Sequence, residues 1–245
     1  MTDDGYFGER VAARYDETYD YQAAPEVIEP VLDLLAELAG DGRALELGVG
    51  TGRIALPLAR RGVSVHGIEL SRAMARRLNA KPGADAIDVT IGDFSTTRVE
   101  GSFRLAYLLV NTIMNLTTQE AQVACFRNVS AHLEASGCFL IEVLVPELQR
   151  LPTGDTHRVF SAEERHWGID EFDVARQGLI SHHFLEVDGQ IERRSIPFRY
   201  VWPSELDLMA QLAGMRLRDR WSDWRRKPFT SESRKHISVW EKPAA

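Results

Sequence analysis

The sequence has no apolar stretch long enough to span a bilayer. Its opening residues, MTDDGYFGER, are acidic and polar and hold no signal-peptide core. The expectation is a cytoplasmic protein with no membrane partner. Cysteine is scarce: Cys125 falls in a predicted helix, Cys138 in a predicted buried strand, and the two form no CxxC pair. Both read as packing residues, which excludes a disulfide framework and a zinc site. No set of His, Cys, Asp and Glu has metal-ligand spacing, so no metal is expected. Positive charge is not in excess either. A net charge of -7 is a poor match for a phosphate backbone, so nucleic acid is not an expected partner. The basic cluster RDRWSDWRRK reads as solvated surface. Internal repeats and low-complexity segments are absent.

What the sequence does contain is a regular alternation. A chain of 245 residues suits one large domain, or one domain with an insertion. Residues 26–39 carry apolar side chains at helical spacing, and Gly40 and Gly42 stop that helix. RALELGV predicts a strand. RIALPLARR predicts a helix that tolerates Pro57 near its first turn. VSVHGIEL is a second strand, and SRAMARRLNA a helix with Ser71 as N-cap. AIDVTIGD and FRLAYLLVN are the third and fourth strands, the latter apolar enough for burial on both faces. Residues 118–135 predict an amphipathic helix closed by Gly137, and GCFLIEVLV a fifth strand. Alternation of this kind implies parallel strands with helices on both faces, and a ligand at the strands' carboxyl ends. From residue 170 to 202 the pattern becomes β-like with no helix between, and VDGQ signals a hairpin. Helical spacing returns in SELDLMAQLAG, and two more strands follow.

The chemistry concentrates after the first strand. In ALELGVGTGR, Gly48, Gly50 and Gly52 alternate, with Glu46 ahead of them and Thr51 and Arg53 among and after them. The nicotinamide fingerprint G-x-G-x-x-G needs its third glycine at position 53, which is Arg53. The Gly-Lys-Ser/Thr of a phosphate-cradling loop is also missing. Glu69 closes the second strand, where a carboxylate either accepts ribose hydroxyls or stands as a solvated strand-end acid. Gly92, Asp93 and Phe94 follow the third strand, where Gly-Asp also makes an ordinary turn.

These three landmarks, in this order and at these strand ends, resemble the motifs of class I S-adenosylmethionine-dependent methyltransferases of the small-molecule type. The resemblance covers residues 10–145, and residues 195–245 in outline. It implies a Rossmann-like α/β fold with a seven-stranded, mostly parallel sheet of order 3-2-1-4-5-7-6, its last strand antiparallel. One domain then spans residues 1–245, with lid helices in 1–40 and an antiparallel β insertion in 150–202. The implied cofactor is S-adenosylmethionine, leaving S-adenosylhomocysteine as product. Its implied binding residues are Tyr15, Tyr19, Glu46, Gly48, Gly50, Thr51, Gly52, Arg53, Glu69, Leu70, Met74, Gly92, Asp93, Phe94, Val110 and Asn111. In that family the acid at the Asp93 position takes the adenine amino group, and the residue after it packs on the ring. The N-terminal YDETY matches a Tyr-Asp-x-x-Tyr lid segment. Tyr15 and Tyr19, four apart, would share a helix face, over the cofactor or against the core.

The acceptor side is less specific. Asn111 and Asn115 lie at the edge of the apolar fourth strand, and amides there need partners. Relatives that methylate amino sugars or small amines place a polar or aromatic side chain at the second of these positions. The Lys-Asp-Lys-Glu tetrad of ribosomal RNA methyltransferases is missing, and NTIM replaces the Asn/Asp-Pro-Pro-Tyr/Phe motif. The insertion carries His182, His183, Arg199, Tyr200 and Trp202. Its strands would wall an acceptor pocket or build a homodimer. Adjacent strand residues face opposite ways, so one of His182 and His183 can reach a pocket, as base or anchor, or both serve ordinary packing. The catalytic candidates are therefore Asn111, Asn115, His182 and His183; Tyr15, Asn115, Arg199, Tyr200 and Trp202 are the substrate-binding candidates. The implied reaction is methyl transfer to nitrogen or oxygen of a small molecule. The alternative keeps the fold as a non-transferring cyclase or lyase.

Overall fold

A computed structural model describes residues 5–18, 24–187 and 189–244. Tyr19 and Asp188, the latter in the expected hairpin turn, lie outside the described residues. After the short helices α1 (Glu9–Ala12) and α2 (Tyr15–Thr18), helix α3 runs Pro25–Ala39. Pro25 begins it and Gly40, at φ 52°, ends it. The strands β1 (Ala44–Leu47), β2 (Val65–Glu69), β3 (Ile87–Ile91), β4 (Phe103–Leu108) and β5 (Leu133–Leu144) follow, with helices α4 (Ala55–Arg60), α5 (Arg72–Asn79) and α6 (Gln119–His132) between them. Strands β6 (His157–Glu163), β7 (His166–Asp173), β8 (Gly178–Val187) and β9 (Gln190–Arg199) form a separate antiparallel sheet. Helix α7 (Pro203–Leu212) and strands β10 (Arg216–Trp221) and β11 (Lys235–Glu241) complete the fold.

The main sheet has the order β3-β2-β1-β4-β5-β11-β10. Strands β1 to β5 pair in parallel, and β11 runs antiparallel to both its neighbours. This is the expected order. Period-two alternation divides the core. Leu105 and Tyr107 of β4 join α3 and α4 on one face, while Ala106 and Leu108 join α6 and α7 on the other. Both faces of β4 are therefore covered, which accounts for its apolar sequence.

Three boundaries differ from the sequence reading. The helix predicted to Ala135 ends at His132. Lys242, more than a hundred residues on, donates from Nζ to Ser130 O and Leu133 O, and Leu133 pairs with Phe103 as strand. Tertiary partners thus terminate the helix before its local pattern runs out. The fourth strand stops at Leu108, because Val110 and Asn111 turn left-handed at φ 51° and 62°. The insertion's β pattern starts at His157, well before residue 170.

Candidate active site

The glycine turn is built by conformation first. Gly48, Gly50 and Gly52 all have positive φ, at 72°, 57° and 79°. Only glycine occupies that region three times in five residues without strain. Space is equally restrictive at the last of them: a Cβ on Gly52 would lie 2.9 Å from Leu78 Cγ. Glu69, at the end of β2, holds the turn from the side. Its Oε2 accepts from Gly50 N at 2.7 Å and its Oε1 from Ser71 N at 2.8 Å. Ser71 Oγ in turn accepts from Met74 N and caps α5.

A cavity of about 360 Å³ opens beside this turn at the carboxyl ends of β1 and β4. Glu46, Gly48 and Gly50 form one wall, and Asn111, Thr112 and Asn115 the wall beyond β4. Tyr6, Phe7 and Tyr15 cover it from the N-terminal segment. His183, Ile196 and Phe198 face it from the insertion sheet. Glu46 is buried; burial pushes its carboxyl up to about 8, although the Tyr107 hydroxyl donates to it at 3.0 Å and the Arg53 charge pulls the other way. A neutral carboxyl beside a cavity is poised to ionise when a cation arrives. His183 is pushed down to about 4, first by burial and then by its neighbour His166. His183 Nδ1 lies 3.0 Å from His166 Nε2, and its Nε2 lies 3.3 Å from Ser181 Oγ.

The N-terminal segment is fastened over the turn. Thr51 Oγ1 donates to Asp16, and Lys81 Nζ bridges Asp16 Oδ2 at 2.7 Å and Thr51 O at 2.8 Å. Ser71 Oγ donates to Phe7 O at 2.6 Å, and Phe7 and Tyr15 pack on Ala73 and Met74 of α5.

Comparison with known proteins gives this arrangement a family. Residues 44–137 match a family described as "Methyltransferase domain". The structure of the CcbJ methyltransferase from Streptomyces caelestis is 34% identical, covers 98% of this chain and 99% of that one, and superposes with a TM-score of 0.86. The chain belongs to the class I S-adenosylmethionine-dependent methyltransferases. A cypemycin N-terminal methyltransferase from a Streptomyces species is 26% identical over 93% of this chain and 97% of its own length. SAM-bound CalS10, an amino pentose methyltransferase from Micromonospora echinaspora, is 20% identical, covers 93% of this chain and 96% of its own, and shares the fold at a TM-score of 0.68.

The cofactor of this methyltransferase is S-adenosylmethionine, and its residues fit that group. A cavity edge with a left-handed glycine turn and a buried carboxyl held neutral, backed by a second carboxylate behind the turn, suits a ligand that carries an ammonium group and a ribose. Among the described residues no three His, Cys, Asp or Glu side chains converge to hold a metal ion. No helix among them is long and apolar enough to cross a membrane.

The residues singled out in the sequence distribute unevenly over the methyltransferase. The cavity collects Tyr15, Glu46, Gly48, Gly50, Thr51, Arg53, Val110, Asn111, Asn115 and His183. Glu69, Met74 and Phe94 stand behind or beside the glycine turn, Leu70 is exposed and lies against Gly5 of the N-terminal segment, and Gly52 faces α5. Gly92 is half-buried and Asp93 exposed, in a turn where Asp93 Oδ1 accepts from Ser95 N at 2.7 Å. Asn111 is half-buried, and its Oδ1 accepts from Leu144 N at 2.8 Å. His182 points away from the cavity, between Ser195 Oγ at 2.8 Å and Glu171 Oε2 at 3.2 Å. The substrate role expected of Arg199, Tyr200 and Trp202 has no geometric support. Arg199 is buried, paired with Glu205 at 2.7 Å and bonded to Gln122. Tyr200 and Trp202 pack into the core between β7 and α7. Ile196 and Phe198 were missed in their place. Strand alternation offers the signal: they lie two and four residues along the strand from Arg194, which pairs with His183, so they share its face. Tyr6 and Phe7 were missed because nothing in a short polar terminus marks them.

Proposed function

We propose that this methyltransferase methylates the nitrogen of a small-molecule amine. The observation that carries the reading is the state of His183. It is the one histidine beside the cavity among the described residues, it is held neutral down to about pH 4, and both its ring nitrogens already have partners. A hydroxyl acceptor needs a base with a higher pKa. An amine brings its own lone pair and needs alignment, which can supply about 7–11 kcal/mol in favourable cases. Two of the relatives carry amine-directed names, an N-terminal methyltransferase and an amino pentose methyltransferase. All three are named methyltransferases, and the cyclase or lyase reading gains no support from them.

When bound, S-adenosylmethionine supplies a methyl group already activated on sulfonium. In this reading Glu46 meets its ammonium group, Glu69 its ribose, and Asp93 and Phe94 its adenine. Tyr15, Asn115 and His183 aim the acceptor nitrogen, while the segment 1–40 serves as lid and 150–202 as acceptor wall of a single domain. The net charge of -7 supports a small-molecule acceptor over nucleic acid in a cytoplasmic enzyme. The test is turnover of a panel of amines and alcohols with labelled cofactor, in His183→Ala and His183→Gln. Transfer to amines, with losses below about tenfold, is expected. Transfer to a hydroxyl with a loss above about a hundredfold would replace this reading by base-catalysed O-methylation.

A further inference from the structure

A second cavity, of about 290 Å³, lies against the first. Arg53, Ile54, Leu109, Val110 and Asn111 line both, so the two spaces meet between the residues that follow the glycine turn and one turn of backbone at the end of β4. That turn is costly. Val110 is β-branched and sits at φ 51°, and Asn111 follows at φ 62°. Such a pair persists only where the surroundings over-determine it. Here Glu142 of β5 does so: its backbone O accepts from Asn111 N at 3.2 Å and its Oε2 from Val110 N at 3.3 Å. Asn111 Oδ1 locks the other side through Leu144 N.

The second cavity's chemistry is lopsided. Most of its wall is aliphatic or aromatic, from Val31 of α3, Ile54, Val143, Leu144 and Trp224. Its charged lining residues are Arg53, Glu142 and Lys235, and the acid is already satisfied, since Glu142 Oε1 accepts from Trp224 Nε1 at 3.1 Å and from Lys235 Nζ at 2.9 Å. A carboxylate neutralised in this way does not call for a cationic ligand. What the space offers is apolar surface, closed below by Val31, Ile54 and Val143 and open to solvent at Val27, Val110 and Leu144. At ~30 Å³ per heavy atom, the share of one water in the liquid, it holds about eight to ten non-hydrogen atoms.

We propose that the acceptor is an amine carrying a lipophilic arm, and that the arm occupies this second cavity while the nitrogen lies in the first. The proposal rests on the amine reading above and adds the acceptor's shape. Turning left-handed at Val110, the chain leaves the sheet at once, and the five wall residues common to both spaces put the two within reach of one molecule.

The test uses n-butylamine, n-hexylamine and n-octylamine as probes, titrated calorimetrically into the full chain with and without S-adenosylhomocysteine. Each methylene buried should tighten binding about fourfold at best. At least tenfold from butylamine to octylamine is expected. Val27 and Leu144 are exposed residues at the cavity's edge, so tryptophan there can plug it without touching the core. Val27→Trp and Leu144→Trp should each remove the chain-length gain while S-adenosylhomocysteine binds as before. Affinity independent of chain length, a gain that survives both plugs, or failure of all three amines to bind would overturn the proposal. Failure of S-adenosylhomocysteine to bind, with the length dependence intact, would instead overturn the cofactor assignment and leave the arm site standing.

Discussion

Glu46 is a carboxyl that the fold keeps neutral. Its folded value, about 8, lies above the ordinary 4.5, chiefly because it is buried. As pH rises from about 4.5 the unfolded chain ionises at this position and the folded chain does not. Glu46's contribution to stability is therefore complete at low pH and lost as pH rises to about 8. A bound ammonium group reverses the preference. Binding of S-adenosylmethionine at pH 7 should release up to one proton, which calorimetry in two buffers of different protonation heat will show. Glu46→Gln should abolish the release, weaken binding by about tenfold and raise the melting temperature of the cofactor-free protein at pH 8. Heat independent of buffer would remove Glu46 from the ammonium site. Glu69 behaves differently, because its carboxylate grips two backbone amides of its own chain. Glu69→Gln should loosen the turn and the ribose together. A fall in S-adenosylhomocysteine affinity of about tenfold is expected, from bonds worth about 1.5–3 kcal/mol each; an unchanged dissociation constant would make Glu69 a scaffold residue only. Arg199 belongs to stability. Losing its buried ion pair with Glu205 should cost about 3–5 kcal/mol in Arg199→Ala, measured by denaturant unfolding, with cofactor affinity unchanged in the folded fraction. Its role was illegible in the sequence because Gln122 and Glu205, which bury it, are distant and ordinary residues. The glycine turn was legible because its meaning lies in spacing alone.

At the scale of elements, the N-terminal segment proposed as a lid depends on weak fastenings. Lys81 and Asp16 form a half-exposed pair, worth about 0.2–1 kcal/mol, and it will weaken with salt. Asp16→Asn should therefore speed S-adenosylhomocysteine release only a few-fold in stopped-flow measurements. The difference from the unsubstituted protein should shrink as salt rises. An identical rate at low salt would mean that the lid's aromatic residues alone hold it. Helix ends show why elements are read more easily than their limits. Ser71 and Gly40 announce the ends they make. The end of α6 is set by Lys242 and by Phe103, which no local window contains. Strand alternation likewise says that one of two adjacent histidines can face a cavity. Choosing His183 takes the register of β8 on β7 and β9, which is tertiary information.

Across the whole molecule, the alternation of strands and helices was enough to specify a parallel sheet, and the motif resemblance supplied its order. What neither contains is how late the sheet is finished. Strand β11 lies between β5 and β10, and its Ile237, Val239 and Trp240 are fully buried, Trp240 against Phe126 and Phe139. Synthesis is vectorial, so nearly all of what β11 packs against emerges first and waits. Until residue 241 clears the ribosome, β5 presents a bare edge and α6 an uncovered aromatic cluster. Such surfaces recruit chaperones or other chains. A nascent chain arrested before Lys235 should remain protease-sensitive and bind trigger-type holdases, and one released past Glu241 should not. The methyltransferase would then complete its sheet in one late step, once β11 is free to pair, rather than as the glycine turn emerges.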